Sequence, residues 1–271
     1  MNAIVAFLTD KTATARRDLT LLALVFGAAF FQFLGHFPLI EPDEGRYSEI
    51  PREMLERGDF ITPLLNYVKY FEKPPLHYWL NAISFSLFGQ NEFAARFAGT
   101  LAGLLVVLFT YHLGRRLFDR QVGILAACIM GTAGGFLVQS RINYTDMTLT
   151  CCLTLCLGCF ILAVREQGPQ KGRYYYLFYL FSALAVLAKG LIGIVFPGAI
   201  IFLFLLLRRR WALLKEMRLF TGILLALVRD PPDHGTNRRP PARPPAWRVR
   251  VAEGGRTGPH AIIGPWVRSR T

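Results

Sequence analysis

Four ionisable residues have types and settings that could do chemistry together: Asp43, Lys73, Asp146 and Lys189. Asp43 lies in Glu41-Pro42-Asp43-Glu44-Gly45-Arg46-Tyr47-Ser48-Glu49-Ile50. Proline suits the first turn of a helix and an acid favours its positive end, so a helix is predicted to start there. Asp43, Arg46 and Tyr47 then share one face, being three and four residues apart. Lys73 lies in Tyr70-Phe71-Glu72-Lys73-Pro74-Pro75-Leu76-His77-Tyr78-Trp79. The proline after it pushes its backbone out of the helical region, and Glu72 stands beside it. Asp146 lies in Asn143-Tyr144-Thr145-Asp146-Met147, and Lys189 in Leu187-Ala188-Lys189-Gly190. Two carboxylates and two ammonium groups on one surface suit an anionic headgroup and a base. Each residue also has a plainer reading. The Asp43 segment can be an interfacial helix with a solvated acidic face, and Glu72–Lys73 and Lys189 can snorkel. Asp146 can cap a helix, and Tyr78 and Trp79 can belong to an interfacial aromatic belt.

The elements that must position these residues are apolar. The chain has 271 residues, 53% hydrophobic and 18% charged, where soluble domains carry roughly a quarter charged residues. Neither a water-soluble enzyme nor a disordered protein fits. The apolar residues form runs at Leu19–Ile40, Phe93–Leu113, Val122–Val138 and Met147–Val164. A fifth and sixth fill Tyr174–Leu207 with a break near Lys189-Gly190, and a seventh starts at Leu219 and is lost after Val228. A bilayer is crossed by about 20 helical residues, and in hydrocarbon every backbone polar group must be satisfied internally. The fold class is therefore all-α, a polytopic membrane helix bundle whose Glu41–Glu92 loop carries interfacial helices. Pro51 predicts a kink or a second helix start, and Ile50, Met54 and Leu55 an apolar face laid on the membrane.

Basic residues set the orientation. Clusters at Lys11/Arg16/Arg17, Arg115/Arg116/Arg120, Arg165/Lys171/Arg173 and Arg208–Arg210/Lys215/Arg218 fall on alternate connections and are assigned to the cytoplasm. The Glu41–Glu92 loop, with nine acids against five bases, is then external. None of the four ionisable residues was used to set this topology, yet it puts all four on the outer face.

The stretch from Glu41 to Trp79, with its E-P-D-E-G-R-Y, R-E-M-L-x-x-G-D-F and Y-F-E-K-P-P-L-x-Y-W, resembles the polyprenyl-phosphate-dependent glycosyltransferases of the GT-C type. Its nearest branch is the one containing the bacterial aminoarabinose transferases of lipid A, with the protein O-mannosyltransferases as relatives. N-Y-T-D-M at 143–147 and L-A-K-G at 187–190 fit that branch, and the resemblance runs from about residue 19 to 227. It implies a sugar transferred from an undecaprenyl-phosphate type carrier to a lipid A-like or protein acceptor, at the outer face of the bacterial inner membrane. Carried over by position, Asp43 is the catalytic carboxylate and Lys73 the carrier-phosphate contact. Arg46, Tyr47, Glu72, Asp146 and Lys189 line the substrate site. The chemistry agrees: fixed cations stabilise charge on a leaving phosphate, and a carboxylate can take a hydroxyl proton. With an acceptor that is itself a phosphate, Asp43 would mainly orient it. Membrane lipids and the lipid-linked donor are the expected partners, with no nucleic acid. No cofactor is firmly implied. A divalent metal stays open, with His77, five residues from Glu72, needing further ligands from elsewhere. Cys156-x-x-Cys159 lies in an apolar helix and reads as packing.

Residues 1–228 are thus read as the N-terminal, incomplete part of a membrane glycosyltransferase domain. The remainder, 229–271, holds nine Arg, no Lys and eight of the sixteen Pro. It reads as a disordered tail from a shifted reading frame in a G+C-rich gene, with a Pro/Arg-rich linker or RNA-binding tail as the competing reading. The rival functions are a membrane transporter and an inactive membrane fragment. Transporters favour mid-bilayer charges and internal repeats; here the charges lie at one face and no repeat is found. The topology makes the first prediction: reporter fusions at Gly58 and Trp211 give opposite signals, and the same signal at both would contradict it.

Overall fold

The computed structural model describes residues 14–217. Helix α1 spans Ala15–Phe31, α2 Asp43–Arg57, and a short hairpin pairs β1 (Leu64–Leu65) with β2 (Val68–Lys69). Then follow α3 (Leu76–Phe88), α4 (Glu92–Leu117), α5 (Arg120–Thr132), α6 (Gly134–Ser140), α7 (Thr145–Arg165), α8 (Gln170–Lys189), α9 (Ile192–Arg208) and α10 (Leu213–Glu216). Side-chain caps start several of them: Thr14 accepts from the Arg17 amide, Asn91 from Ala94 and Asp119 from Val122, each satisfying an amide that has no partner within its helix.

Helices α4 and α7 are long and apolar enough to cross a bilayer. Helix α4 is the central post, packing against α1, α3, α5 and α7, while α7 in turn packs on α8. One core joins Leu22, Phe26 and Phe30 of α1 to Val107 and Tyr111 of α4 and Ile124 and Ala127 of α5. Another joins Cys156, Cys159 and Phe160 of α7 to Phe178 of α8 and Leu205 of α9, so the cysteine pair is core packing. The α4–α5 contact requires glycine on both sides. A Cβ on Gly114 would lie 2.8 Å from Gly123 Cα, and one on Gly123 would lie 2.7 Å from the Tyr111 carbonyl oxygen.

The described residues depart from the sequence expectations in several places. The first apolar run is helical only to Phe31. Positions 32–36 are turns with Phe33 at φ 55°, and Pro38 lies in the irregular stretch that follows. The Val122–Val138 run is two helices bent by 68° about Ala133, whose extended backbone precedes the Gly134-Gly135 pair. Pro51 neither splits nor restarts a helix, since α2 runs unbroken through it. Ile50 and Met54 do not face lipid: they are buried with Tyr47 and Tyr78 between α2 and α3, and Leu55 packs beside Phe85 and Ala94. Tyr78 is likewise buried and outside any aromatic belt. The hairpin went unforeseen; Asn66 and Tyr67, both at positive φ, turn it, and the buried Glu53 carboxylate accepts the Tyr67 amide at 3.0 and 3.2 Å. The seventh run and the Arg/Pro-rich tail lie outside the described residues.

Each end of the bundle is tied by a buried acid. At one end Asp18, 1% exposed, accepts from Arg120 Nε and Nη2 at 2.7 and 2.8 Å and from the Tyr111 hydroxyl at 2.8 Å. That joins α1, α4 and α5. Arg165, at the end of α7, donates to the Leu117 carbonyl nearby. At the other end Glu44, fully buried, receives Arg96 Nε and Nη2 at 2.9 and 2.7 Å. Arg96 also donates to the carbonyls of Leu34, Phe37 and Pro38. Removing one partner leaves a buried charge uncompensated, at a cost of roughly 3–5 kcal/mol. Glu44→Ala should therefore lower the thermal unfolding midpoint in detergent sharply, while Glu41→Ala, at an exposed position three residues away, should leave it nearly unchanged.

Candidate active site

Helix α2 begins at Asp43, with Pro42 as its N-cap, and its first turns present Asp43 and Arg46 on one face. Arg46 Nη2 lies 3.1 Å from Asp43 Oδ1. Arg46 Nη1 donates to the Tyr70 hydroxyl at 3.0 Å and lies 3.6 Å from Glu72 Oε2. The Tyr70 hydroxyl donates to Glu72, whose other oxygen is 3.2 Å from Lys73 Nζ. Asp43, Arg46, Tyr70, Glu72 and Lys73 thus form one chain of opposite charges. It is partly open to solvent: Asp43 is 42% exposed, Glu72 51%, Arg46 28% and Lys73 26%. The Tyr70 hydrogen bond, followed by that of Lys73, holds the Glu72 carboxyl below the usual carboxylate range. Tyr70 also leads the causes that raise Arg46.

Below this chain lies an aromatic floor. Tyr47, buried, meets His77 and Tyr144 edge-on with ring centroids 5.9 and 6.3 Å apart, and Tyr78 at 6.3 Å. Burial, and next the Asp43 charge, push the Tyr47 phenol up. A second ionic group stands at the same end of the bundle. Asp146, in the first turn of α7, pairs with Lys189 at the end of α8. No hydrogen bond or ion pair joins the two groups directly among the described residues. Burial, then the charges of Asp43, Glu44 and Asp146 in that order, push the Tyr144 phenol up.

What aligns the groups is a buried polar network. Glu44, next to Asp43, accepts the backbone amide of Asn143 at 2.8 Å. The Asn143 side chain donates to Ser48 Oγ at 3.0 Å and accepts from Asn81 Nδ2 at 2.8 Å. His77 Nε2 lies 2.9 Å from Asn143 Oδ1, and Nδ1 lies 3.0 Å from Thr148 Oγ1. An amide oxygen only accepts, so Nε2 carries the proton and Nδ1 accepts from the threonine. Burial pushes His77 down to about 4. It is a neutral packing residue, with both ring nitrogens taken by Thr148 and Asn143. Among the described residues no three His, Cys, Asp or Glu side chains converge as metal ligands would.

Sequence reasoning gathered Asp43, Lys73, Asp146 and Lys189 at one outer face; the structure links Asp43, Arg46, Glu72 and Lys73 in one chain of charges and pairs Asp146 with Lys189 apart from it. Sequence reasoning missed Tyr70, which links Arg46 to Glu72, and the network of Glu44, Arg96, Asn143 and Asn81. Tyr70 opens the same motif as Lys73, two residues before Glu72; a phenol so close to an acid was the available signal.

Residues 72–230 match the family described as dolichyl-phosphate-mannose-protein mannosyltransferase, more than half of the chain. The chain belongs to this family. A relative from Yersinia enterocolitica, undecaprenyl phosphate-alpha-4-amino-4-deoxy-L-arabinose arabinosyl transferase, is 35% identical over 209 residues, covering 76% of this chain and 37% of that protein. The protein of the same name from Aeromonas salmonicida is 34% identical over 219 residues, 78% of this chain and 39% of its own length. The crystal structure of ArnT from Cupriavidus metallidurans in the apo state superposes with a TM-score of 0.73 at 32% identity, over 80% of this chain and 41% of that one. The same protein bound to undecaprenyl phosphate gives 0.70 at 33% identity, over 78% and 39%. The chain spans about two fifths of the length of these relatives. As a mannosyltransferase-family member it has the helical membrane fold of ArnT.

His77 gives this site a pH signature. Its folded value near 4 lies below the ordinary 6.5, so the unfolded chain binds more protons between those values. Its contribution is complete above pH 6.5 and is lost as pH falls towards 4, roughly 3 kcal/mol in all. Thermal unfolding midpoints should fall across that window, and His77→Gln, with no titrating ring, should flatten the dependence.

Proposed function

We propose that this chain is the N-terminal part of a transferase that moves a sugar from an undecaprenyl-phosphate type carrier to a lipid A-like acceptor, at the outer face of a bacterial inner membrane. The observation that carries this reading is the ion chain itself: Arg46 and Lys73 are gathered on one carboxylate, Glu72, with Asp43 at its other end. The relatives' names and the ArnT complex with undecaprenyl phosphate supply the carrier's class.

The chemistry follows from the charges. The acceptor oxygen attacks the sugar carbon bonded to the phosphate, the bond from that carbon to the phosphate oxygen breaks, and the phosphate departs with the electron pair. Lys73 and Arg46 stabilise the charge gathering on it. Where the acceptor is a hydroxyl, Asp43 takes its proton; where it is a phosphate, no proton moves and Asp43 orients it. Tyr47 closes the floor of the site, and the Asp146–Lys189 pair offers polar contacts to the sugar or acceptor.

The test uses the chain in lipid nanodiscs for binding, and the chain extended to its relatives' length for transfer from a labelled carrier sugar. Lys73→Ala should weaken undecaprenyl-phosphate binding about tenfold or more, since a charge-assisted hydrogen bond contributes about 1.5–3 kcal/mol. Asp43→Asn should leave that binding within about twofold and abolish most transfer, because only the reacting step loses its carboxylate. Arg173→Gln, exposed at the opposite end, is the control. Normal transfer by Asp43→Asn would reject its assignment, and unchanged binding by Lys73→Ala would reject the phosphate site.

A further inference from the structure

Tyr78 carries a feature the scheme above leaves unused. It is fully buried in the first turn of α3, and its hydroxyl has no hydrogen-bond partner. Its ring packs with Tyr47, Ile50 and Met54, with Tyr70 and Trp79 at the edge of the same cluster. Tyr47 and Tyr70 are the two phenols next to the ion chain. A phenylalanine would fill this position equally well and would not strand a polar atom, and a buried hydroxyl without a partner is unfavourable. Burial, then Tyr47, Tyr70 and Glu72, push the Tyr78 phenol up, with Arg46 opposing. The phenol therefore stays protonated, and its ring lies 6.3 Å from that of Tyr47, in the cluster against which Tyr70 packs.

Glu72 occupies the position of an anion. It is held by Arg46, the Tyr70 hydroxyl and Lys73 together. An incoming phosphate monoester or diester seeks the same cations and repels the carboxylate. Once Glu72 gives way, the Tyr70 hydroxyl loses its acceptor, and Tyr70 packs against the cluster that holds Tyr78.

We propose that the Tyr78 hydroxyl is a hydrogen-bond donor to the carrier phosphate, reached only after that anion displaces Glu72 from Arg46. This rests on the carrier reading given above. Tyr78 is a binding residue in this scheme: it donates a hydrogen bond and transfers no proton. The orphaned hydroxyl is then a group held ready in the empty site, and its partner arrives with the ligand.

The variant that decides is Tyr78→Phe, in the whole chain in nanodiscs, with two readouts. The first is the ligand-free unfolding midpoint. It should rise by about 2–4 °C, because an unsatisfied polar atom is removed without a cavity. A fall would show that the hydroxyl has a partner in the free protein and would overturn the proposal. The second is affinity for undecaprenyl phosphate, with undecaprenol as the uncharged comparison. Tyr78→Phe should bind undecaprenyl phosphate about tenfold more weakly, or about 1.4 kcal/mol, and bind undecaprenol as the parent does. Unchanged phosphate affinity, or equal losses for both lipids, rejects the inference alone. If the parent chain does not bind undecaprenyl phosphate, the carrier reading fails and takes this inference with it.

Discussion

The whole candidate site hangs on one buried ion pair, Glu44 with Arg96. Two ions removed from water stabilise a fold only when their geometry is good and their remaining hydrogen-bonding capacity is met. Here both conditions hold. The guanidinium meets the carboxylate with two nitrogens, and its other hydrogens go to three carbonyls of the 34–38 turn. The carboxylate's remaining capacity is taken by the amides of Ile40 and Asn143. A single acid thus ties the end of the α1 turn, the start of α2, the start of α4 and the approach to α7. The pair is therefore better read as a device for register than as a source of net stability.

Register matters because two groups of the candidate site, Asp43 and Asp146, lie close in sequence to residues that this pair holds. Asp43 adjoins Glu44. Asp146 follows Asn143 by three residues, and Asn143 is held again by Ser48, Asn81 and His77. A neutral histidine suits this position, since a charged one would face a carboxamide oxygen on one side only, in a fully buried setting. Above the network the charges become more exposed. Glu72 is shared among three partners, which lets an incoming anion compete for them. Buried support beneath and shared ion pairs above suit the proposed role of holding and releasing a charged carrier.

Much of this was legible in the sequence, for physical reasons. The apolar runs gave the helical bundle because hydrocarbon leaves the backbone few other choices. Asp43, Arg46 and Tyr47 share a local helix, and Lys73 follows Glu72 directly, so short-range spacing sufficed for them. The Lys189–Asp146 pair spans 43 residues and was anticipated only as far as a shared membrane face. Glu44 and Arg96 were not singled out, because an acid in an acidic loop and an arginine at a helix start look like solvated surface until tertiary packing buries them. The break at Ala133 and the continuity of α2 through Pro51 also depend on neighbours. Glycines beside Ala133 permit a bend, and the packing of Ile50 and Met54 against α3 holds α2 together.

The central claim is that Arg46 and Lys73 are cations waiting for the carrier's phosphate, with Glu72 as its stand-in. The most direct measurement is an experimental structure of this chain with undecaprenyl phosphate in nanodiscs. The account predicts phosphate oxygens about 2.7–2.9 Å from Lys73 Nζ and the Arg46 guanidinium, with Glu72 moved off Arg46. A phosphate bound elsewhere, with the Arg46–Glu72 and Glu72–Lys73 pairs intact, would contradict it.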